Sequence, residues 1–361
     1  LLVIGNSLYT KMASIIAYIS ETMELPYDET RLVFSMVVSV TLALFNHYLK
    51  NKTVRLVYNL INGLLLQYVG YGITGILNIS SSALITYLFM RYFGRKVSAF
   101  VILIYTLLHL AALNIYRKYL CELSWTISFS DTIYMMTLVK YTSMAFSYED
   151  GDKDDKKIKS HHLIEHKIEE LQSLFFYLFL RTSIIGPGFE FMDFKNWIEF
   201  KGHYKTMTPK IAIKEGLKRL AIFVMFTVLY SYIANAFPLA SLTSEAYGKR
   251  NIFYKIYFLF FSAMGYRMKF YSGFNSVFMT MIFTGISYQE IRENPKETDK
   301  KTDESKQEGP KYFMDIGHFG NSLLVEFGIN PKDKIANWNR TVHLWLKYNV
   351  YIRFLRLNNP L

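Results

Sequence analysis

The sequence is poor in cysteine and in charged residues, and each shortage excludes a class of protein. Its 361 residues include one cysteine, Cys121, so a disulfide framework within the chain is excluded. Charged residues make up 19% of the chain, against about 25% in soluble domains. The glycine-rich phosphate loop and the G-x-S-x-G hydrolase motif are also absent. These absences argue against a disulfide-rich secreted domain and against the common soluble enzymes.

The acidic charge that is present lies mostly in two stretches, 149–170 and 289–312, which hold 15 of the 29 acidic residues. We expect both stretches to be charged surface loops. The net charge of +12 therefore comes from the rest of the chain, where lysines and arginines cluster at the ends of apolar runs. This placement is typical of residues that anchor membrane helices to lipid headgroups. Because no soluble basic face remains, we predict no nucleic-acid partner.

Apolar runs recur along the whole sequence, and charge within them is sparse. A membrane helix needs about 20 apolar residues, and backbone in hydrocarbon must be hydrogen-bonded internally, which favours helices. We predict a single all-α membrane domain over 1–361, a polytopic bundle of eight to ten transmembrane helices that is truncated at both ends. The runs centre on 32–49, 54–77, 83–93, 99–116, 132–148, 171–185, 220–239, 252–264 and 276–287, with a partial run at 1–19.

Ionisable residues inside the apolar runs are functional candidates, because placing a charge in hydrocarbon costs about 2.5–3.5 kcal/mol on insertion scales. Lys140 is the clearest case, since it lies mid-run in MMTLVKYTSMAF. We predict that a partner from another helix keeps it charged, with Glu190 as the first choice. The predicted role is to hold two helices together, and contact with a substrate headgroup is the alternative. Arg181 and His109 are further candidates of the same kind.

A zinc-protease spacing, H-x-x-E-H, occurs once, from His162 to His166. Two histidines four residues apart on a helix could bind zinc. The motif follows a solvated run of aspartates and lysines, however, where such spacings arise without function. We therefore predict no metal site.

The segment 336–353, ANWNRTVHLWLKYNVYIR, is the most unusual part of the sequence. Trp338, Trp345 and Ile352 are seven residues apart, so on one helix they would form a single stripe. Asn339 lies one position off that stripe, beside the ring of Trp338. An interfacial amphipathic helix with an aromatic belt is the alternative explanation of this pattern.

This segment, over 338–353, resembles the W-N-x5-W-L-x3-V-Y-x-R signature of the membrane-bound O-acyltransferases, in their lysophospholipid acyltransferase branch. Three further pieces follow the family's order. Residues 136–151 resemble its M-x-L-x-K-x-T-S stretch, 185–197 its G-P-x-(F/L)-(E/D) stretch, and 266–287 its R-x-K-(F/Y)-Y segment. Each piece is weak alone, but four pieces in order are fairly specific.

The resemblance implies fatty acyl transfer from acyl-CoA, as co-substrate, to the hydroxyl of a lysophospholipid inside a membrane-embedded tunnel. A histidine would act as general base, and Asn339 would be its partner across the reaction chamber. The chemistry suits these residue types, because a hydroxyl needs a base of pKa near 7 and an oxyanion needs a neutral donor. We expect no cofactor and a location in the endoplasmic reticulum membrane. The candidates for substrate binding are Trp338, Trp345, Lys347, Tyr351, Arg353, Lys140 and Glu190.

Lys347, Arg353 and Arg356 are the candidates for holding the phosphates of coenzyme A, because they add positive charge after the tryptophans. Binding to lipid phosphates would explain the same residues.

One departure from the family pattern concerns the base. The family's histidine follows the W-N box in a W-H-G-type motif, which this sequence lacks, and His343 belongs to the wrong motif. We therefore expect a fragment that is inactive by itself. Two alternatives remain open: a family member that acylates a protein, sterol or diacylglycerol, and a transporter or scramblase. The sequence sets no oligomeric state.

Overall fold

The computed structural model describes residues 2–23, 27–120, 129–151, 189–290 and 312–358, and nearly all of these are helical. The predicted all-α fold is confirmed. Single helical turns at 46–48, 202–205, 239–243 and 245–248 link the main elements, and π-helical segments occupy Tyr116–Leu120 and Leu346–Tyr351. In chain order the main elements are α1 (Leu2–Met23), α2 (Tyr27–Phe45), α3 (Lys52–Ile115), α4 (Phe129–Asp150), α5 (Phe191–Ile198), α6 (Pro209–Ala236), α7 (Ile252–Thr284), β1 (Tyr288–Glu290), β2 (Tyr312–Met314), α8 (Ser322–Phe327), α9 (Pro331–Trp338), α10 (Arg340–Trp345) and α11 (Ile352–Asn358).

Apolar side chains cover much of the outer surface of the long helices. Phe253 on α7 is 81% exposed and Tyr232 on α6 is 75% exposed. In the described part of the chain, two stretches are long and apolar enough to cross a membrane, 76–115 and 209–243. An exposed apolar surface of this extent suits contact with lipid rather than water. The apolar run at 171–185 lies outside the described residues, so the count of eight to ten membrane helices stays a prediction.

Helix α3 folds back on itself at Gly94, where the backbone φ is +68°. Beyond that residue the chain returns along the first half. His109 and Asn78 form a hydrogen bond of 3.2 Å, and the rings of Phe89 and Tyr105 meet edge to face at 5.5 Å. The 40 apolar residues of 76–115 would extend about 60 Å as one helix, twice the hydrocarbon thickness. The turn at Gly94 divides them into two segments of spanning length.

Substitution of Gly94 tests this turn. No atom lies within 4 Å of the position that a Cβ would occupy, so the expected cost comes from the left-handed backbone alone. We expect Gly94→Ala to lower the stability of the detergent-solubilised protein by about 1–2 kcal/mol, and Gly94→Asn to lower it less. Gly273→Ala is the control, because it lies in open space within helix α7 and should be neutral or stabilising. Equal thermal shifts for the two alanine variants would contradict a turn at Gly94.

Helices α6 and α7 form the closely packed pair that frames the site described below. Thr208 caps the start of α6 by accepting a hydrogen bond from the Ile211 amide, and Asn251 caps α7 in the same way. A Cβ at Gly216 of α6 would overlap the ring of Phe283 on α7, so the two backbones approach closely there. Small residues at such contacts are typical of membrane helix pairs.

The described ends of the two charged stretches, 149–170 and 289–312, form a helix end and strands, not the predicted loops. Glu149 and Asp150 belong to helix α4, and Asp150 is fully buried. At the second stretch, β1 pairs antiparallel with β2, so that Glu290 lies opposite Tyr312. The remainder of both predicted loops, 152–170 and 291–311, lies outside the described residues.

Candidate active site

The helix predicted over 336–353 is interrupted at Asn339, which separates α9 from α10. Asn339 has φ −145° and ψ 87°, and its side-chain oxygen accepts a hydrogen bond of 3.2 Å from the Val342 amide. Asparagine is a favoured N-cap because this bond satisfies an amide that the first helical turn leaves without a partner. The single stripe predicted for Trp338, Trp345 and Ile352 is therefore wrong. The two tryptophans contact different helices, and Asn339 lies at the junction between them.

A glycine-containing loop, 315–321, holds this junction in place. Gly320 has φ +139°, and a Cβ there would overlap the carbonyl oxygen of Asn337, so only glycine allows the approach. The Arg340 amide donates a hydrogen bond to the carbonyl of Phe319. The Arg340 guanidinium also pairs through two nitrogens with the carboxylate of Asp315. The backbone and the side chain of Arg340, the next residue, therefore both hold Asn339 in position.

Trp338 packs into an aromatic cluster on helix α7. Its ring lies 5.6 Å from Phe270, 5.8 Å from Tyr271 and 6.1 Å from Phe274. Phe274 also stacks face to face with Phe319 of the loop at 4.7 Å. The tryptophan of the W-N box is therefore packed against α7, and Phe274 connects the same aromatic cluster to the loop.

A ladder of polar contacts joins the last helical segment to α4. The Trp345 indole N–H donates to the Thr142 hydroxyl at 2.8 Å, and the amide of Asn349 donates to Ser143 at 3.3 Å. One turn further, Arg353 pairs through two nitrogens with the buried carboxylate of Asp150. The three contacts follow the same order along both helices, and together they fix the rotation and translation of the helices relative to each other.

Glu190 and Lys140 both lie at this ladder. The Ser143 hydroxyl contacts both carboxylate oxygens of Glu190 at 2.7 and 2.6 Å, so Glu190 is attached to α4 through Ser143. Lys140 is buried one turn earlier on α4, at 3% exposure. The contact observed on Glu190 is made by Ser143, and a pair between Lys140 and Glu190 stays a prediction.

The other predicted binding residues divide into buried and exposed groups. Arg353 pairs with the buried carboxylate of Asp150 and so joins two helices, and its predicted binding of coenzyme A phosphates stays a prediction. Lys347 and Tyr351 are exposed, and the Lys347 ammonium lies 5.1 Å from the ring of Tyr348. Their binding roles stay predictions, as does that of Arg356, whose side chain lies outside the described part.

A cavity of about 520 Å³ opens between α6, α7 and the loop 315–321. Aromatic rings, including those of Phe226, Phe274 and Trp338, form much of its wall. Sequence analysis missed its polar residues, because they come from four separate segments that carry no shared motif. These are Arg219, Asn275, His318, Asn321, Ser322 and Asn337. The zinc spacing at 162–166 lies outside the described residues, and the described residues contain no cluster suited to a metal.

Comparison with known proteins decides the family. The model of the membrane-bound O-acyltransferase family matches residues 64–360. The chain belongs to this family. It is 24% identical over 313 residues to a lysophospholipid acyltransferase of Saccharomyces cerevisiae, covering 77% of this chain and 48% of the relative. It is 22% identical over 290 residues to one of Schizosaccharomyces pombe, covering 77% and 53%.

A plant relative covers more of the chain. Lysophospholipid acyltransferase 2 of Arabidopsis thaliana is 22% identical over 339 residues, which is 90% of this chain and 68% of the relative. The chain spans about half the length of the two yeast relatives. The matches confirm the resemblance that the W-N box indicates, and they confirm that this is an integral membrane protein.

In this family member, His318 is a histidine of the cavity wall, on the loop outside the membrane-spanning helices. The pKa of His318 is lowered to about 4, mainly by burial, with a contribution from the nearby Arg219 and Arg340 that Asp315 opposes. Its ring packs edge to face on Phe278 at 4.9 Å. His318 is therefore neutral at physiological pH and a weak base.

The lowered pKa of His318 predicts a loss of stability in acid. An unfolded histidine binds a proton near pH 6.5, whereas the folded one resists it until about pH 4, so stability is unaffected above pH 6.5 and falls as the pH decreases below it. Between pH 7 and pH 5 we expect His318→Gln to lose about 1–2 kcal/mol less than the wild type. Unfolding midpoints across this range would measure the difference, and parallel curves would contradict a buried neutral His318.

The Asp150–Arg353 pair predicts a strong structural effect. Asp150 is 0% exposed and Arg353 12%, so removing one partner leaves a charge buried without compensation. We expect Asp150→Asn to lower stability by about 3 kcal/mol or more. The exposed pair of Lys249 and Glu245 is the control, since Lys249→Gln should change stability by less than about 0.5 kcal/mol. Thermal shifts of similar size for the two variants would refute a structural role for Arg353.

Proposed function

We propose that the protein containing these residues transfers a fatty acyl group from acyl-CoA to the free hydroxyl of a lysophospholipid. Family membership and the names of the curated relatives support the reaction class and the acceptor. The observation that carries the proposal is the W-N box itself, with Trp338 in the cavity wall and Asn339 fixed beside it. The protein would act in the endoplasmic reticulum membrane, where lysophospholipid and acyl-CoA both reach the bundle.

The proposed role of Asn339 is to donate a hydrogen bond to the oxyanion of the reaction. When the acceptor hydroxyl attacks the thioester carbonyl, a negative charge develops on the carbonyl oxygen. Collapse of this tetrahedral intermediate leaves the new ester and expels the thiolate of coenzyme A. Because Asn339 uses its side-chain oxygen as a helix cap, its amide N–H groups are the part of the side chain that would donate to the substrate. A fixed neutral donor stabilises such a charge without reorganisation.

The proton of the acceptor hydroxyl requires a base near pKa 7. Among the described histidines of the site, His318 does not suit this role, because its pKa of about 4 makes it a weak acceptor. The family resemblance assigns the base to a histidine that follows the W-N box. Acylation of a protein, sterol or diacylglycerol remains the alternative within the family, and family membership argues against a transporter or scramblase.

Two substitutions of Asn339 separate its donor role from its cap role. Asn339→Asp keeps a side-chain oxygen for the helix cap but replaces the N–H donor with a carboxylate that repels an oxyanion. We expect acyl transfer in membranes containing the whole protein to fall by about two orders of magnitude or more, with little loss of protein. Asn339→Ala should lose similar activity and also about 1 kcal/mol of stability.

Asn330→Asp is the matched control, because Asn330 caps helix α9 in the same way through the Lys332 amide. It should leave both the activity and the stability near the wild-type values. Activity of Asn339→Asp comparable to that of Asn330→Asp would exclude the oxyanion role.

A further inference from the structure

Arg219 differs from the other arginines around the W-N box in the group that it contacts. Arg267 pairs with Glu326, Arg340 with Asp315 and Arg353 with Asp150, in each case through two nitrogens. Arg219 instead donates to a neutral amide oxygen, that of Asn275, at 2.9 Å.

The charge of Arg219 is thus left uncompensated by any carboxylate within ion-pair distance among the described residues. Glu215, one turn earlier on α6, is engaged by Lys218 and Tyr312. The Arg219 guanidinium lies 4.7 Å above the ring of Phe278, which holds it without cancelling its charge.

The cavity wall places this charge where a ligand could reach it. Arg219 and Asn275 line the cavity of about 520 Å³ that Trp338 also lines, and no described lining residue is acidic. The rest of the wall is mostly aromatic and aliphatic. A cavity with one cation among apolar groups suits an amphipathic ligand that carries one negative charge.

Resting on the proposed function, we propose that Arg219 binds the phosphate of the lysophospholipid acceptor, with Asn275 orienting the guanidinium and the aromatic wall receiving the apolar part. One guanidinium matches the single charge of a phosphodiester. Coenzyme A carries several phosphate charges, and a single arginine would compensate them poorly. Arg219 also lies about 15 Å from the first residue of helix α6. The side chain of His318, on the same wall, is neutral at physiological pH and adds no second charge.

The test compares two ligands that share an acyl chain and differ in the phosphate. Protein reconstituted in nanodiscs is titrated with 1-oleoyl lysophosphatidylcholine and with 1-monooleoylglycerol, each displacing radiolabelled lysophosphatidylcholine. The wild type should bind the phosphate-containing ligand more tightly. Arg219→Gln should reduce that preference by about 10- to 100-fold, and Arg219→Lys should retain part of it.

Two further variants sharpen the result. Asn275→Asp places a carboxylate beside Arg219, so it should abolish the preference while the arginine remains in place. Lys214→Gln removes an exposed charge of the same helix while the pair of Lys218 and Glu215 stays intact, so it should leave the preference unchanged. Retained affinity for monooleoylglycerol in each variant shows that the cavity is still folded.

The outcomes distinguish this site from the proposed reaction. An unchanged lysophosphatidylcholine preference in Arg219→Gln would overturn the inference, as would lost binding of acyl-CoA with intact lysophosphatidylcholine binding. A preference that depends on Arg219 supports the site even if no acyl transfer is detected, since the measurement contains no acyl donor. In that case the proposed reaction fails and the phosphate site stands.

Discussion

The geometry of the candidate site depends on the close approach of the loop 315–321 to the W-N box. Without a side chain at Gly320, the loop backbone reaches Asn337, and the Phe319 carbonyl receives the Arg340 amide. This contact ends one helix and begins the next at Asn339. It also brings Phe319 onto the ring of Phe274, so the same approach closes the cavity against α7. A larger residue at position 320 would separate the loop from the junction and displace all of these groups together.

Charge pairing divides the arginines of this region between structure and binding. In an apolar surrounding, a guanidinium is stable when a carboxylate neutralises it with good geometry, and Arg267, Arg340 and Arg353 each have such a partner. These pairs connect α7 to α8, the loop to α10, and α4 to α11. Arg219 is bound by an amide and an aromatic ring, which leaves its charge available to an anion. The distinction lies in the partners, because all four side chains are chemically identical.

The polar ladder between α4 and the last helices joins two of the resemblance segments in space. Thr142 and Ser143 of the K-x-T-S stretch receive hydrogen bonds from Trp345 and Asn349, which follow the W-N box. Ser143 also holds Glu190 of the G-P-x-F-E stretch. Segments about 50 and 200 residues apart are therefore one structural unit, and its hydrogen bonds fix the direction in which the W-N box faces.

The sequence by itself determined the membrane-helical class and the family, because each depends on composition or on local order along the chain. It also singled out Asn339 through the W-N box. It predicted an unbroken helix through Asn339, which was wrong, and it did not predict the carboxylate partner of Arg353. The helical periodicity of a sequence does not reveal a helix cap that depends on a distant loop. The charge of a residue likewise does not identify the residue with which it pairs. Only the tertiary structure decided that Arg353 meets Asp150, that α3 turns back at Gly94, and that Arg219, Asn275 and His318 share a cavity wall. These are contacts between residues far apart in sequence, which packing alone brings together.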